Sequence, residues 1–382
     1  MKIGILTFHR SINYGAFMQS YALSKELQMR YPKHTVEIID FEYLRKHKHY
    51  KAGIYRFPIG IEYRIKYNRF QQDLRRLPLS DKSFITQNTD ELCEYIKSNY
   101  DVVIVGSDAV WTYQGKMPVD NPYWLFGDKL KSVVKMSYAA SAFSTDFDSI
   151  PQEERDIVKE RLSSFYYIGV RDSATKKFVE SLELNKEVHI NHDPTFFLNP
   201  ADDAKLAHST LRKNFVFNNK KCISFMTRSL QGINELREDL HKEYNLLHFF
   251  RRDNQRRDVF DFRCRYMNNV SPFEWYNLYG QMTLNFTNFF HGACLGIINH
   301  APTIVIDDFK QSYTSKYAQL MMDLGLEDRL FYKKNLNVEK LLDTTRYCLS
   351  HRDEEVNRIT KAVEVERKKS SSFFKALDVI MK

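Results

Sequence analysis

The sequence is poor in cysteine. Its five (Cys93, Cys222, Cys264, Cys294, Cys348) are odd in number, widely spaced, and free of any CxxC or Cys/His ligand spacing. A disulfide framework and a zinc site are thereby excluded, no metal is expected, and reduced thiols point to the cytoplasm. Long apolar runs are also missing, so no segment is expected to cross a bilayer. The opening stretch MKIGILTF stops at His9-Arg10 without a small-residue cleavage site and reads as a first strand, not a signal peptide. The chain is expected to be soluble, or attached peripherally at the inner face of a membrane. Walker-type loops, GxGxxG fingerprints and GxSxG elbows are absent too, which disfavours ATP hydrolysis, dinucleotide redox chemistry and serine hydrolysis. There is no internal repeat and no low-complexity tract.

Order, by contrast, is well provided for. Apolar residues make up 43% of the chain and aromatic residues 14%, the composition of a packed protein and not a disordered one. A length of 382 residues exceeds what one core usually fills, so two domains are expected. The formal net charge of +9 favours an anionic partner, which charge alone leaves open among a phosphate-bearing small molecule, an acidic membrane surface and nucleic acid. Nucleic acid is the weakest of these, because the basic residues sit in an insertion and loops without a reading module.

Hydrophobic periodicity alternates between strand and helix. KIGILTF, the helical AFMQSYALSKELQMRY and HTVEIIDF form a βαβ unit, which implies a parallel sheet. Helix ELCEYIKSNY, buried strand YDVVIVGSD, strand VVKMSYAAS, and a further helix, strand and helix through SATKKFVESL continue the pattern. It lapses at NHDPTFFLNPADDAK and restarts with strand KKCISFMTR, helix INELREDLHKEY and strand NLLHFFR. Helix SPFEWYNLYGQ, the stretch TLNFTNFFHGACLGIINH and strand APTIVIDD follow. The fold class read from this is α/β, with two Rossmann-like domains facing across a cleft. They are placed at 1–200 and 201–345, with a helical segment at 346–382 packing across both and broken near Ser370 to Ser372. A basic, aromatic stretch at about 43–83 interrupts the first domain. It reads either as a solvated insertion or as a flap that meets a phosphate-bearing acceptor or an anionic membrane face.

Four motifs lie where strands give way to helices, the edge at which such folds display working side chains. In SINYGAFMQS, Asn13, Tyr14 and Gly15 form a βα turn that lines the cleft or merely caps its helix. In VVIVGSDAVW, Ser107 and Asp108 emerge after a run of β-branched residues. Asp108 suits a general base toward a sugar hydroxyl, Trp111 suits an apolar platform for a sugar ring, and a simple helix cap is the plainer alternative. Arg228, where CISFM runs out, suits carboxylate or phosphate, or is an ordinary surface arginine. His291 and Gly292 stand at a helix start, where free amides and the helix dipole favour an anion; His291 suits a phosphate contact or proton donation, Gly292 allows close approach, and a structural histidine is the plainer alternative.

Taken in order, NYGAFMQSYAL, DVVIVGSDAVW, SYAASF, IGVRDSAT, HDPTFFL, SPFEW, TNFFHGACLGI and APTIVID resemble the polysaccharide pyruvyl transferase family, over the span from the first strand to about Leu342. The resemblance implies a GT-B-like pair of Rossmann-type domains with the acceptor on the first and the donor on the second. It also implies transfer of pyruvate from phosphoenolpyruvate to two hydroxyls of a sugar, giving a cyclic ketal and phosphate, with no cofactor beyond that co-substrate. Acceptors would be capsular, cell-wall or exopolysaccharide units, often lipid-linked. It marks Asp108 as catalytic, with Arg228 and His291 as donor-binding residues. Phe289 departs from the arginine that some members carry two residues before the histidine, so either donor recognition would rest on Arg228, the helix terminus and Lys316, or the donor differs. A glycosyltransferase using a nucleotide sugar, or a non-catalytic carbohydrate-binding protein of polysaccharide assembly, would share most of these features.

Overall fold

The computed structural model describes residues 1–54, 60–113, 121–142, 145–227, 233–249, 263–308 and 315–382. The chain divides into two compact units. One comprises Met1–Lys51, Leu74–Phe197 and Arg367–Lys382, and the other Ala52–Asp73 and Leu198–Glu366.

The first unit is built on a seven-stranded, all-parallel sheet. Its strands are β1 (Lys2–Leu6), β2 (Thr35–Tyr43), β3 (Leu79–Thr86), β4 (Val102–Val105), β5 (Val134–Ala140), β6 (Tyr167–Val170) and β7 (Val188–Ile190), in the order β3-β2-β1-β4-β5-β6-β7. The central strand β4, VVIV, is buried at every position, as expected of a strand covered by helices on both faces. Helix α1 (Tyr14–Arg30) returns the chain from β1 to β2. The strand order reverses between β1 and β4, and such a switch point opens a crevice at the carboxyl ends of the strands.

The second unit repeats the plan with β8 (Cys222–Met226), β9 (Asn245–Phe249), β10 (Cys264–Met267), β11 (Met282–Thr287), β12 (Thr303–Asp307) and β13 (Leu330–Tyr332). They are all parallel, in the order β10-β9-β8-β11-β12-β13. Here the reversal falls between β8 and β11. The helix before β11 is fixed at its start by a capping box, in which Ser271 and Glu274 each satisfy the other's backbone N–H.

Two stretches divide differently from the linear reading. The basic segment at 43–83 resolves into the end of β2, helix α2 (Leu44–Gly53), helix α3 (Gly60–Leu74) and part of β3. Most of α2 joins the first unit and nearly all of α3 the second. The C-terminal segment also splits. Helix α13 (Arg352–Arg367) lies in the second unit up to Glu366, and α14 (Ser371–Ile380) in the first. There Tyr31 Oη donates to Asp378 Oδ1 at 2.7 Å and the Arg30 guanidinium lies 3.9 Å from the Phe374 ring centroid. Among the described residues, no helix is long and apolar enough to cross a membrane.

Candidate active site

Strand β4 delivers the chain to Gly106, whose φ of +109° and whose missing Cβ are both required. A Cβ there would lie 2.3 Å from the carbonyl oxygen of Tyr138. Ser107 follows and is wholly buried. Its Oγ donates to the carbonyl of Ala139 at 3.0 Å, its N–H to Gln19 Oε1 at 3.2 Å, and its carbonyl accepts from Thr7 Oγ1 at 3.0 Å. It pins β4 to its neighbours, and its polar atoms are engaged within the fold. Asp108 sits at φ +78°, a region that aspartate tolerates better than most residues. Its carbonyl accepts the N–H groups of Val110 (2.8 Å) and Ser141 (2.9 Å), and Oδ1 accepts that of Ala109 at 2.8 Å. With its side chain 15% exposed, the carboxylate is fixed in direction yet still reachable.

Two cations act on it. Arg171, just past β6, has a side chain only 4% exposed. Its Nη2 lies 3.7 Å from Asp108 Oδ1 and its Nη1 donates to Asp193 Oδ2 at 3.0 Å. Burial alone would lower its pKa, but Asp108, Asp193 and Asp172 outweigh that and raise it, so the guanidinium stays charged. Asp193 is braced in turn by Thr195, whose N–H (3.0 Å) and Oγ (2.7 Å) donate to its Oδ1. Asp172 is the N-cap of α6 (Ser173–Ser181), accepting from Thr175 at 2.8 Å, and its Oδ2 accepts Ser141 Oγ at 2.6 Å. The second cation is Lys46. The residue as a whole is exposed, but its ammonium packs 4.2 Å from the Phe8 ring centroid. Desolvation of that group lowers its pKa, opposed by Asp108 and Glu42. No motif singled out Arg171 or Lys46, although IGVRDSAT and HDPTFFL mark the segments that meet here.

The other expected residues of this edge fare differently. Asn13 is the exposed N-cap of α1, its Oδ1 accepting the N–H groups of Gly15 (3.0 Å) and Ala16 (3.4 Å), and Tyr14 is 2% exposed. Trp111 cannot serve as a sugar platform. It is fully buried, stacked on Trp124 at 4.7 Å with 8° between planes, and its Nε1 donates to the carbonyl of Tyr123 at 2.8 Å. Its face is spent on the core.

In the second unit, the fully buried β11 leads through Asn288 and Phe289 into α10 (Phe290–Ile298). The Phe289 N–H donates to Thr287 Oγ1 at 3.0 Å. His291 lies in the first turn, 9% exposed, with Phe290 edge-on at 5.5 Å. Lys316 opens α11 (Lys316–Asp323), and its ammonium lies 5.3 Å from the centroid of that same Phe290 ring. Tyr317 Oη, next in sequence, donates to the carbonyl of Asn288 at 2.7 Å, tying the two helix starts together. His291 and Lys316 therefore flank one phenylalanine at the carboxyl edge of the second sheet. Gly292 serves packing and not ligand approach: a Cβ would meet Thr287 Oγ1 at 2.7 Å and Tyr279 Oη at 3.3 Å. Arg228 lies outside the described residues. The strand leading to it, β8, pairs with β11 through Met226 and Thr287. Among the described residues no group of three or more His, Cys, Asp or Glu side chains is arranged to hold a metal.

Each unit thus presents titratable side chains at the carboxyl edge of its own sheet. Solved structures of similar fold include a UDP-GlcNAc 2-epimerase from Methanocaldococcus jannaschii (15% identity, TM-score 0.55, covering 91% of this chain and 93% of that one). A glycosyltransferase from Rickettsia africae (13%, 0.54, 98% and 97%) and the E. coli ADP-heptose LPS heptosyltransferase II (11%, 0.50, 92% and 100%) are similar too. At such identities the likeness is one of fold, and the fold is GT-B, two Rossmann-type domains with parallel sheets of seven and six strands. No match was found among curated proteins. Residues 13–308 match the family described as polysaccharide pyruvyl transferase, a span that takes in Asp108, Arg171 and His291, and the chain belongs to that family of transferases.

Proposed function

We propose that the protein moves pyruvate from phosphoenolpyruvate onto two hydroxyls of a sugar in a surface polysaccharide or its lipid-linked precursor, forming a cyclic ketal and releasing phosphate in the cytoplasm. The observation that carries this reading is the family match across both switch points, joined to a reachable carboxylate on the first unit and a His–Lys pair on the second. Asp108 takes the proton of an attacking hydroxyl. His291 protonates the methylene carbon of the donor, which builds oxocarbenium character at the adjacent carbon. Lys316, the start of α10 and Arg228 hold the donor's phosphate and carboxylate. No redox cofactor enters this chemistry.

The test is free phosphate release from phosphoenolpyruvate, measured with a panel of carrier-linked and synthetic glycosides. Acceptor-dependent release is expected, and His291→Ala should lower it by about 10²–10⁴-fold, the usual worth of a positioned acid or base. Binding of a nucleotide sugar with no binding of phosphoenolpyruvate would replace this reading with that of a glycosyltransferase.

Peripheral attachment to an anionic membrane is part of the same proposal. Phe215 and Phe217 are 75% and 68% exposed, in a turn between α7 (Ala204–Lys213) and β8 that also carries the exposed Lys220 and Lys221 and follows the exposed Arg212 in the last turn of α7. Exposed aromatic rings set among cations match the interface of an anionic bilayer. The turn lies at the amino edge of the second sheet, so contact there leaves the carboxyl edge open. Sedimentation with phosphatidylglycerol vesicles is expected, with loss of at least 10-fold in binding for Phe215→Ser/Phe217→Ser. Equal sedimentation of that variant would remove the claim.

A further inference from the structure

The edge that carries Asp108 also carries two histidine–carboxylate pairs, and they differ in what they leave over. His9 is entirely buried. Its Nδ1 lies 3.1 Å from the carbonyl of Thr7 and its Nε2 2.9 Å from Asp40 Oδ1, and Arg10 Nη2 holds the other oxygen of Asp40 at 2.6 Å. Both ring nitrogens are engaged and none of the ring reaches solvent, so this pair fastens the turn after β1. His47 stands in the first turns of α2, directly after β2. Its Nδ1 lies 2.8 Å from Glu42 Oε2, its side chain is 19% exposed, and its Nε2 has no hydrogen-bond partner among the described residues. Glu42 is 6% exposed, and among the described residues its Oε1 accepts no hydrogen bond.

A buried carboxylate holding one nitrogen of a half-exposed imidazole fixes the ring and leaves the other nitrogen able to take a proton. The pair stands at the carboxyl end of β2, which only β1 separates from β4 and Asp108, and the neighbouring Lys46 packs its ammonium on Phe8, just past the end of β1. Burial pushes the Glu42 carboxyl above its ordinary range, opposed by His47, Arg10 and His9.

We propose that His47, oriented by Glu42, accepts the proton of the acceptor's second hydroxyl. The inference rests on the pyruvyl-transfer reading, because a ketal needs two oxygen nucleophiles and so two deprotonations. In the first step an acceptor oxygen bonds to the central carbon of phosphoenolpyruvate, its proton passes to Asp108, and the methylene carbon takes a proton to become methyl. This leaves an open adduct that still carries phosphate, whose carbon–oxygen bond to phosphate breaks, the phosphate leaving with the electron pair, only as the second oxygen attacks. In the second step the other hydroxyl oxygen bonds to the same carbon and its proton passes to His47 Nε2. Over the cycle one hydroxyl proton is balanced by that added to carbon, and the other departs with hydrogen phosphate.

The experiment uses the full chain, phosphoenolpyruvate and a productive acceptor in D₂O, reading ketal by mass and phosphorus species by ³¹P NMR. His47→Asn is expected to lower ketal formation by about 10²-fold. It should still consume donor with deuterium entering the methyl group, so that the open phosphate-bearing adduct accumulates. Glu42→Gln should give the same accumulation with a smaller loss, about 10-fold, and unchanged affinity for phosphoenolpyruvate, which sets it apart from a variant that merely unfolds. Ketal formation by His47→Asn near the wild-type rate overturns the proposal. So does loss of ketal with neither adduct nor deuterium incorporation, which would put the residue in the first step or in the fold. Failure of the wild type itself to form ketal with any acceptor would overturn the underlying reading, and that arm is read separately.

Discussion

Asp108→Asn is expected to lower acceptor-dependent phosphate release by about 10²–10⁴-fold, the usual contribution of a positioned general base. The fold should survive. The amide keeps an oxygen to accept the Ala109 N–H, and the carbonyl contacts with Val110 and Ser141 are untouched. The affinity for phosphoenolpyruvate should change little if the donor rests on the second unit, so the loss should fall on kcat and not on donor binding. Steady-state phosphate release together with a donor titration separates the two. A variant retaining more than a tenth of the wild-type rate would strip Asp108 of its role. Loss of donor affinity in step with the rate would place it on the phosphoenolpyruvate instead.

Asp108 was legible in the sequence for a physical reason. A run of β-branched residues broken by glycine marks the end of a buried parallel strand, and the polar pair after it has to be placed at the carboxyl edge, where Ser107 turns inward and Asp108 stays reachable. The same logic located His291 at the start of α10. Arg171 was not legible, because an Arg-Asp pair after a strand is equally a helix cap with a surface charge. What gives it a role is the order β4-β5-β6, which brings the ends of two strands distant in sequence onto Asp108. Trp111 misled in the opposite way: its face is taken by Trp124, beyond a stretch that carries no periodic signal. His47 was hidden in a segment whose dense positive charge reads as solvated surface, and its partner Glu42 belongs to the strand before it. Strand β3 escaped notice because it is an edge strand, LSDKSFIT, exposed at its centre, and edge strands carry charge in place of the apolar alternation that identifies strands.

The largest structural effect is expected at Arg171. Arg171→Met keeps most of the apolar stem but removes the charge that faces Asp108 and Asp193, breaking the ion pair of Asp193, 3% exposed, with Arg171. Breaking a buried pair from one side costs about 3–5 kcal/mol, which in a domain of this size lowers Tm by roughly 6–20 °C. Arg171→Lys should recover little, because one ammonium cannot reproduce a planar fork that reaches two carboxylates at once. Asp193→Asn in the Arg171→Met background should recover part of the loss by removing the stranded charge, although Asp193→Asn alone destabilises. The pH dependence carries a definite sign. With the guanidinium gone, the charged form of the Asp193 carboxyl loses the cation that favoured it, so its folded-state pKa moves up relative to wild type. The contribution lost is one that is present while the carboxyl is ionised and vanishes as falling pH protonates it. The deficit of Arg171→Met relative to wild type should therefore be full at pH 7 and narrow as pH falls toward about 4, where carboxyls ordinarily protonate. Thermal unfolding of the five proteins across that range is the check. A deficit independent of pH, or one that Asp193→Asn deepens, would mean that Arg171 acts through packing and not through its charge.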